Sequence, residues 1–258
     1  MGRAILAVMK ECPFGLELSG AVEAKGHPLL GQDAFEAAGA GKAGVKVTDD
    51  FPKAIASADV AIDFTHAVSS VTHAREAAAA GKAIVIGSTG LSQEQQAEVR
   101  DAAKRIPCVL SPNMSVGVNL MFQVAADVAK VLGDEYDVEI IEVHHRFKKD
   151  SPSGTAVRLA EAVAGALGRD MKDAGVYGRQ GIVGERTRKE IGVFAVRAGD
   201  VVGEHTLVFG GIGERFEITH RAHSRDTFAR GAVRAAAWVA GRPAGLYDMR
   251  AVLGLPGQ

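Results

Sequence analysis

The alternation of short apolar runs with alanine-rich segments, through the first half of the chain, constrains the fold more than any other feature. The apolar runs at 59–64 and 83–87 are predicted to be buried strands, and the segments at 66–80 and 92–104 are predicted to be helices. The second of these helices opens with a Ser-x-x-Gln capping box. Strands and helices that alternate at this spacing predict a parallel sheet with helices on both faces.

The second half of the chain has a different rhythm. After a predicted strand at 138–144 and a predicted helix at 153–167, three strand-like runs follow with no helix between them. Short glycine-containing turns separate these runs, so they are expected to form an antiparallel group. The runs occupy 191–197, 202–209 and 215–220. The change of rhythm predicts two domains, with a boundary in the SPNMSVG stretch at 111–117.

Composition and charge exclude several classes of protein. Of the 258 residues, 47% are hydrophobic and 24% are charged, which suits a packed core and argues against disorder. The formal net charge of −1 argues against a chain that coats nucleic acid or an anionic membrane. Polar residues interrupt the longest apolar stretch, at 116–132, so no membrane-spanning segment is predicted. With only Cys12 and Cys108, no disulfide framework is expected, and a cytoplasmic location is predicted.

The densest concentration of chemically active side chains is EVHHRFKKDSPSGT at 142–155. Two histidines, an arginine and two lysines precede Pro152 and a predicted helix start. The first N–H groups of that helix, including those of Gly154 and Thr155, favour an anion such as a carboxylate. The upstream cations would hold a second negative group, so the stretch predicts a small dicarboxylate ligand. A histidine beside such a site can move protons near neutral pH.

Each part of this stretch also has a simpler interpretation. His144 and His145 could be ordinary residues at a strand end, and the cations could form a solvated face. The Pro-Ser-Gly-Thr segment could be only a helix cap. No metal site is predicted, because adjacent strand residues point to opposite faces and cannot share one ion. The concentration of all these features in one short stretch favours a functional site.

The same stretch, extended to EVHHRFKKDSPSGTAVRLAE, resembles the signature of the 4-hydroxy-tetrahydrodipicolinate reductase (dihydrodipicolinate reductase) family. Other segments along nearly the whole chain resemble that family as well, and their combination is far more specific than any one of them. They are AIDFT at 61–65, VIGSTG at 85–90, SPNMSVGVNL at 111–120, YGRQGIVGER at 177–186, VVGEHTLVF at 201–209, ITHRAHSRDTFARGA at 218–232 and GLYDM at 245–249.

The resemblance implies an α/β fold with two domains. One would be a Rossmann-like, doubly wound parallel sheet built from residues 1–115 and 226–258, which binds the dinucleotide. The other, at 116–225, would be an α+β domain with a mostly antiparallel sheet, which binds substrate and mediates assembly into a homotetramer. The implied reaction is the reduction of 4-hydroxy-tetrahydrodipicolinate by NADH or NADPH, with loss of water. The reaction belongs to lysine and diaminopimelate biosynthesis.

The resemblance also implies roles for individual residues. His144 would be the proton donor or acceptor, and Lys148 a second proton-transfer residue. His145, Gly154 and Thr155 would bind the substrate. The implied cofactor contacts are Glu23, Gly87, Ser88, Thr89, Ser111, Pro112, Asn113 and Met114. Ser88 stands where threonine is frequent in the family, and it keeps the hydroxyl group.

The beginning of the chain departs from the family pattern. MGRAIL resembles the tail of the glycine-rich turn, so the first strand and the leading glycines of the nucleotide site are expected to be missing. Because that strand is central in a doubly wound sheet, two strand edges would then be unpaired. An alternative hypothesis is therefore a nucleotide-binding-deficient, oligomeric protein that only binds a dicarboxylate.

The end of the strand predicted at 16–22 bears on cofactor preference. Glu23 lies where an acidic residue binds the adenosine ribose, which favours NADH. Lys25 follows closely and could accept the 2′-phosphate of NADPH. The sequence thus predicts use of either nicotinamide cofactor.

Overall fold

The structure, a computed structural model, describes residues 1–11 and 14–256, so Cys12 lies outside the described residues. The chain divides into two units. Unit 1 comprises Met1–Val116 and Arg225–Gln258, and unit 2 comprises Gly117–Ser224.

The helices begin and end close to the residues that the sequence indicates. In the helix that follows Ser92, the Ser92 hydroxyl accepts the N–H of Gln95 and the Gln95 side chain accepts the N–H of Ser92, which confirms the capping box. The helices of the described residues are α1 (Gly2–Glu11), α2 (Ala34–Ala37), α3 (Phe51–Ala56), α4 (Ala67–Ala80), α5 (Gln93–Ala103), α6 (Val116–Leu132), α7 (Gly154–Ala166), α8 (Met171–Ala174), α9 (Asp226–Val239) and α10 (Met249–Leu253), with a 3-10 turn at Gly133–Glu135.

The strands are longer in unit 2 than in unit 1, and each unit has its own sheets. In the described residues they are β1 (Ala21–Val22), β2 (Val47–Thr48), β3 (Val60–Asp63), β4 (Ala83–Ile86), β5 (Pro107–Leu110), β6 (Asp137–His144), β7 (Gly175–Val176), β8 (Ile191–Arg197), β9 (Gly203–Gly210), β10 (Arg215–Ala222) and β11 (Gly245–Tyr247).

The larger sheet of unit 1 is parallel and has the order β11-β5-β4-β3. Every residue of β4 is buried. Ile84 and Ile86 pack against α4 and α5, while Ala83 and Val85 pack on the other face against α9 and α10. A strand covered by helices on both faces is the arrangement that the continuous apolar run predicted.

A gap separates this sheet from the two-stranded parallel sheet of β1 and β2. A cavity of about 230 Å³, lined by α1, by residues 16–22 and by β3, lies between the edges of β1 and β3. In a doubly wound sheet the first strand occupies this position, so the gap agrees with the unpaired edges expected from the sequence. The strand predicted over 16–22 is confined to Ala21–Val22. Residues 16–20 line the cavity and have no neighbouring strand among the described residues to pair with there.

The sheet of unit 2 is mixed and has the order β10-β9-β6-β8-β7. Strands β10, β9 and β6 are antiparallel neighbours, whereas β6, β8 and β7 are parallel. The expectation that 191–197 belongs to an antiparallel group with the next two runs was therefore wrong. The connection from β6 to β8 carries α7 and α8, and a long crossover of this kind permits parallel pairing.

One face of this sheet is covered by α6 and α7, and the other, open face is covered only in part, where Arg179 and Arg186 bind Glu139. Met121 and Ala125 of α6 and Leu159 of α7 pack against buried residues of the sheet. The stretch Val116–Glu135 is long and apolar enough to cross a membrane by length and composition alone, and one face of α6 packs into the core of this unit. On the open face, side chains such as Ile141 remain exposed.

Candidate active site

A buried carboxylate at the end of β6 organises the site in unit 2. Glu142 and His144 lie two residues apart on the strand, so both side chains point to the helix-covered face. Nδ1 of His144 is 2.5 Å from Oε2 of Glu142. Arg197, at the end of the neighbouring strand β8, donates two hydrogen bonds to Glu142, at 2.8 and 2.9 Å. The Ser153 N–H donates a fourth, at 2.9 Å, so the carboxylate joins two strands to the start of α7.

The electrostatic environment keeps the carboxylate ionised. Burial raises the pKa of Glu142, but hydrogen bonds from Arg197 and His144 outweigh burial and leave this pKa below its usual value. Burial lowers the pKa of His144; the charge of Lys148 lowers it further, and Glu142 opposes both effects. The net result is a neutral histidine beside an ionised glutamate near neutral pH, with Lys148 close enough to affect the ring.

The start of α7 lies against this carboxylate. Ser153 is the N-cap residue, and its hydroxyl accepts the N–H of Ala156 at 3.2 Å. The helix therefore begins at Gly154, after Pro152. Gly154 is exposed and a side-chain carbon there would meet no atom within 4 Å, so a ligand can approach the helix terminus closely. Thr155 is half-buried in the same turn.

The loop between β6 and α7 carries the other predicted residues of this site. Nζ of Lys148 lies 2.8 Å from both carboxylate oxygens of Asp150, and this contact holds the pKa of Asp150 below its usual value. Arg197 donates to the main-chain oxygen of Asp150 at 2.8 Å, so the loop is tied to β8. His145 is half-buried, and its Nδ1 is buried with no hydrogen-bond partner among the described residues. The structure thus brings His144, Lys148 and the start of α7 together.

Three residues of this site received no role from the sequence: Glu142, Arg197 and His205. His205 is 4% exposed, its Nε2 is 3.1 Å from the Ser153 hydroxyl, and its ring packs edge-on against His144 with centroids 5.2 Å apart. Burial lowers the pKa of His205 to about 4. The alternation of β6 could have assigned Glu142 to the face of His144. Arg197 and His205 become neighbours only through the order of strands in the sheet.

In unit 1, the ends of three parallel strands bring the predicted cofactor loops to one edge. Asp63, Ile86 and Leu110 are in register across β3, β4 and β5, so the segments that follow them leave the sheet side by side. A side-chain carbon on Gly87 would lie 2.3 Å from the ring of Phe64, so only glycine fits there. Ligands of open parallel sheets bind outside such carboxyl ends, and this edge therefore fits a dinucleotide.

The predicted cofactor contacts differ in how they are exposed. Thr89 and Pro112 are exposed and Asn113 is half-buried, whereas Met114 is buried, with its side chain in the core and its carbonyl against Gly231. The Ser111 hydroxyl donates to the Asn113 carbonyl at 2.8 Å, which shapes that loop. The Ser88 hydroxyl also points inward and donates a hydrogen bond to the buried carboxylate of Asp63 at 3.2 Å.

The adenosine end of the predicted cofactor site follows β1. Glu23 is exposed, its N–H donates to the Thr48 carbonyl, and its carboxylate accepts the N–H of Ala24 at 2.9 Å. The position directly after a parallel strand suits contact with a ribose.

Fold and site together define a class: a two-unit α/β oxidoreductase, with one unit suited to a dinucleotide and the other to proton transfer beside an anion-binding helix start. A family model for the N-terminus of dihydrodipicolinate reductase matches residues 1–114, and a model for its C-terminus matches residues 117–253. The chain belongs to the dihydrodipicolinate reductase family. Membership makes it an enzyme of lysine and diaminopimelate biosynthesis that uses a pyridine nucleotide.

Individual relatives agree with this assignment. A 4-hydroxy-tetrahydrodipicolinate reductase from Anaeromyxobacter dehalogenans is 58% identical over 257 residues, which cover 100% of this chain and 95% of the relative. One from Syntrophus aciditrophicus is 54% identical over 254 residues, which cover 98% of this chain and 94% of the relative. A dipicolinate-bound dihydrodipicolinate reductase from a Paenisporosarcina species has the same fold, with a TM-score of 0.74, 24% identity and coverage of 96% and 94% of the two chains.

Proposed function

We propose that this chain reduces 4-hydroxy-tetrahydrodipicolinate to tetrahydrodipicolinate, with loss of the hydroxyl group as water. The observation that carries the proposal is the pairing of His144 with a buried, ionised Glu142 at the start of α7. The relatives that bear the name of this reductase match the chain over nearly its full length. Dipicolinate, which the similar structure binds, is a dicarboxylate of the kind that a helix start with nearby cations would hold.

Each residue of unit 2 has a distinct task in this proposal. The N–H groups at Gly154 and Thr155 bind one carboxylate of the substrate, and His145 contacts the substrate from the adjoining loop. When bound, NADH or NADPH supplies a hydride to the ring. Negative charge then develops on the imine or enamine system, and His144 and Lys148 exchange the protons that neutralise it.

We propose the carboxyl edge of the unit 1 sheet as the cofactor site, held by the loops at Gly87–Ser88–Thr89 and at Ser111–Pro112–Asn113–Met114. Glu23 would bind the adenosine ribose, and exposed Lys25 would accept the 2′-phosphate of NADPH. Both cofactors are therefore proposed to work. The comparisons support a reductase and give no support to the alternative of a protein that only binds a dicarboxylate.

We further propose a homotetramer in the cytoplasm. The open face of the unit 2 sheet exposes apolar side chains, including Ile141 and Val196, and such a face suits association between copies. Cys108 is a free, buried thiol whose pKa burial raises to about 12, which agrees with a reducing compartment. The raised pKa also argues against Cys108 as a nucleophile, because its thiolate form is strongly disfavoured.

The test of the proposed function is oxidation of NADH and of NADPH by the purified protein, with freshly generated 4-hydroxy-tetrahydrodipicolinate. Thr155→Phe should raise KM for the substrate by about tenfold, the effect of losing ~1.4 kcal/mol of binding, and change kcat less. Val157→Phe, on the same helix, is the control and should leave KM unchanged. Binding of pyridine-2,6-dicarboxylate without turnover with either cofactor would favour the binding protein instead.

A further inference from the structure

We propose that Glu142 is a positioning residue for His144: it holds the ring in the form with a hydrogen on Nδ1, so that Nε2 is the atom that exchanges the proton with the substrate. The inference rests on the proposed function, in which His144 transfers a proton. It adds the tautomer and the reacting nitrogen of that histidine, and it gives Glu142 a role.

The hydrogen bonds of Glu142 determine which ring nitrogen of His144 carries the hydrogen. The carboxylate is fully buried, and Arg197 and the Ser153 N–H can only donate to it. Because these donors keep Glu142 ionised, it can only accept from His144. Nδ1 therefore carries the hydrogen at this 2.5 Å contact, and the other nitrogen of the neutral ring is an acceptor.

The strand across from β6 leaves space at that second nitrogen. A side-chain carbon on Gly203 of β9 would lie 3.0 Å from Nε2 of His144, closer than a comfortable contact. The glycine therefore keeps this side of the ring free of a side chain. His205, two residues along β9, packs edge-on against His144, and so the ring is held between Glu142, His205 and the Gly203 backbone.

The same carboxylate also links His144 to the second proton-transfer group. Arg197, which pairs with Glu142, donates to the main chain of Asp150, and the Asp150 carboxylate binds Lys148. The charged or titratable groups around His144 are thus Glu142 on its own strand, Lys148 on the following loop, Arg197 on β8 and His205 on β9. Of these, only Glu142 is negative and only Glu142 contacts a ring nitrogen of His144 among the described residues.

The first experiment needs no substrate. The protein is labelled with ¹⁵N in its histidine rings, and a His144→Gln spectrum identifies the His144 signals. In the wild-type protein the neutral ring should show hydrogen on Nδ1. In Glu142→Gln the side-chain volume is kept but the charge is lost, so the midpoint of the His144 titration should move to lower pH. Asp134→Asn is the control.

The control removes an exposed carboxylate that, like Glu142, binds an arginine. Asp134 accepts a 2.6 Å hydrogen bond from Arg169 in the same unit, and this bond holds its pKa below the usual value. Asp134 lies before the first residue of β6, and His144 is the last residue of that strand. At ~3.3 Å per strand residue, the length of β6 separates Asp134 from His144 by about 20 Å. Asp134→Asn should leave the His144 titration and kcat unchanged.

Turnover gives the second readout. Glu142→Gln should lower kcat by about 10²-fold, within the range that a positioned acid or base contributes, and change KM for the substrate much less. The inference is overturned if the neutral wild-type ring carries its hydrogen on Nε2, or if Glu142→Gln leaves the titration midpoint in place. Should Glu142→Gln fail to fold, the wild-type tautomer alone decides. Absence of turnover in the wild-type protein would count against the proposed function and not against the tautomer.

Discussion

Each unit of this protein contains a buried carboxylate that contacts Nδ1 of a histidine. In unit 1, Asp63 at the end of β3 lies 2.6 Å from His73 of α4. In unit 2, Glu142 lies 2.5 Å from His144 on the same strand. The carboxylates are 3% and 0% exposed, so the pairs are alike in burial and in length.

The two pairs differ in the other partners of the carboxylate. Asp63 accepts hydrogen bonds from the hydroxyl groups of Thr65, Ser70 and Ser88. Burial raises its pKa, but the hydrogen bond from His73 and those from Thr65 outweigh burial. Within the described residues no arginine or lysine pairs with Asp63, whereas Arg197 pairs with Glu142.

The difference assigns different tasks to similar contacts. In unit 2, Arg197 balances the carboxylate charge, so His144 can gain or lose a proton without leaving Glu142 uncompensated. In unit 1, His73 stacks on Phe51 with ring centroids 4.2 Å apart, and hydroxyl groups take the place that Arg197 has beside Glu142. We infer that the unit 1 pair stabilises the loop of Ser88, and that the unit 2 pair serves proton transfer.

Matched substitutions of the two histidines give the largest expected difference. His144→Asn should lower kcat by about 10³-fold, because a proton-transfer group is lost. His73→Asn should leave kcat within a few-fold and lower the thermal midpoint instead. Steady-state kinetics and thermal unfolding of both variants check this. A comparable loss of kcat in His73→Asn would show that the two pairs do not differ in the way inferred here.

His205 shows what burial does to a histidine that has no carboxylate contact. Its native pKa of about 4 is below the ordinary unfolded value near 6.5. Between these values the unfolded chain binds the proton and the native state does not, so stability is highest above pH ~6.5 and falls as the pH falls. The loss should reach about 3 kcal/mol near pH 4.

His205→Gln tests that pH dependence. The amide can still bond to the Ser153 hydroxyl but does not titrate. Denaturant unfolding of both proteins from about pH 7 to 4 should show a flatter profile for the variant. Parallel profiles would mean that His205 does not titrate as its burial implies.

Lys148 and Lys149 form a matched pair of neighbours on the loop before α7. Lys148 is half-buried and bound to Asp150, whereas Lys149 is exposed. Lys148→Ala should lower kcat by roughly 10²-fold, as for other proton-transfer groups, and Lys149→Ala should leave it unchanged. Equal kinetics in the two variants would remove Lys148 from the mechanism.

The sequence predicted those parts of the fold that depend on residues close together in the chain. The continuous apolar run of β4 indicated a strand buried on both faces, and the Ser92–Gln95 pattern indicated a helix start; the structure has both. Short elements such as β2 and β11, of two and three residues, were missed because they exist only through pairing with other strands.

The candidate site divides in the same way. His144, Lys148 and Gly154 lie in one stretch, so their proximity was visible in the sequence. Arg197 reaches Glu142 only because β8 pairs in parallel with β6, in a register that sets Arg197 opposite His144. Strand order depends on packing between residues far apart in the chain, and the pattern of residues within 191–197 does not indicate which strand will be their neighbour.

Asp63→Asn gives the smallest expected effect and tests the unit 1 side of the comparison. The asparagine keeps a hydrogen-bonding group but loses the charge, so stability should fall by about 2 kcal/mol, the usual scale for hydrogen bonds to a charged group. Because the native pKa of Asp63 is below its unfolded value, its contribution is present above about pH 4 and is lost as the pH falls further. The variant should lack that acid-dependent loss.

The matched control is Asp59→Asn, an exposed aspartate just before the same strand. It should leave stability unchanged, since exposed charges contribute little. Asp63→Asn should also raise KM for the nicotinamide cofactor, because the Ser88 loop loses a charged acceptor, and change kcat less. A 10²-fold loss of kcat at unchanged stability would instead place Asp63 in the proton-transfer chemistry, and the two buried pairs would then share one task.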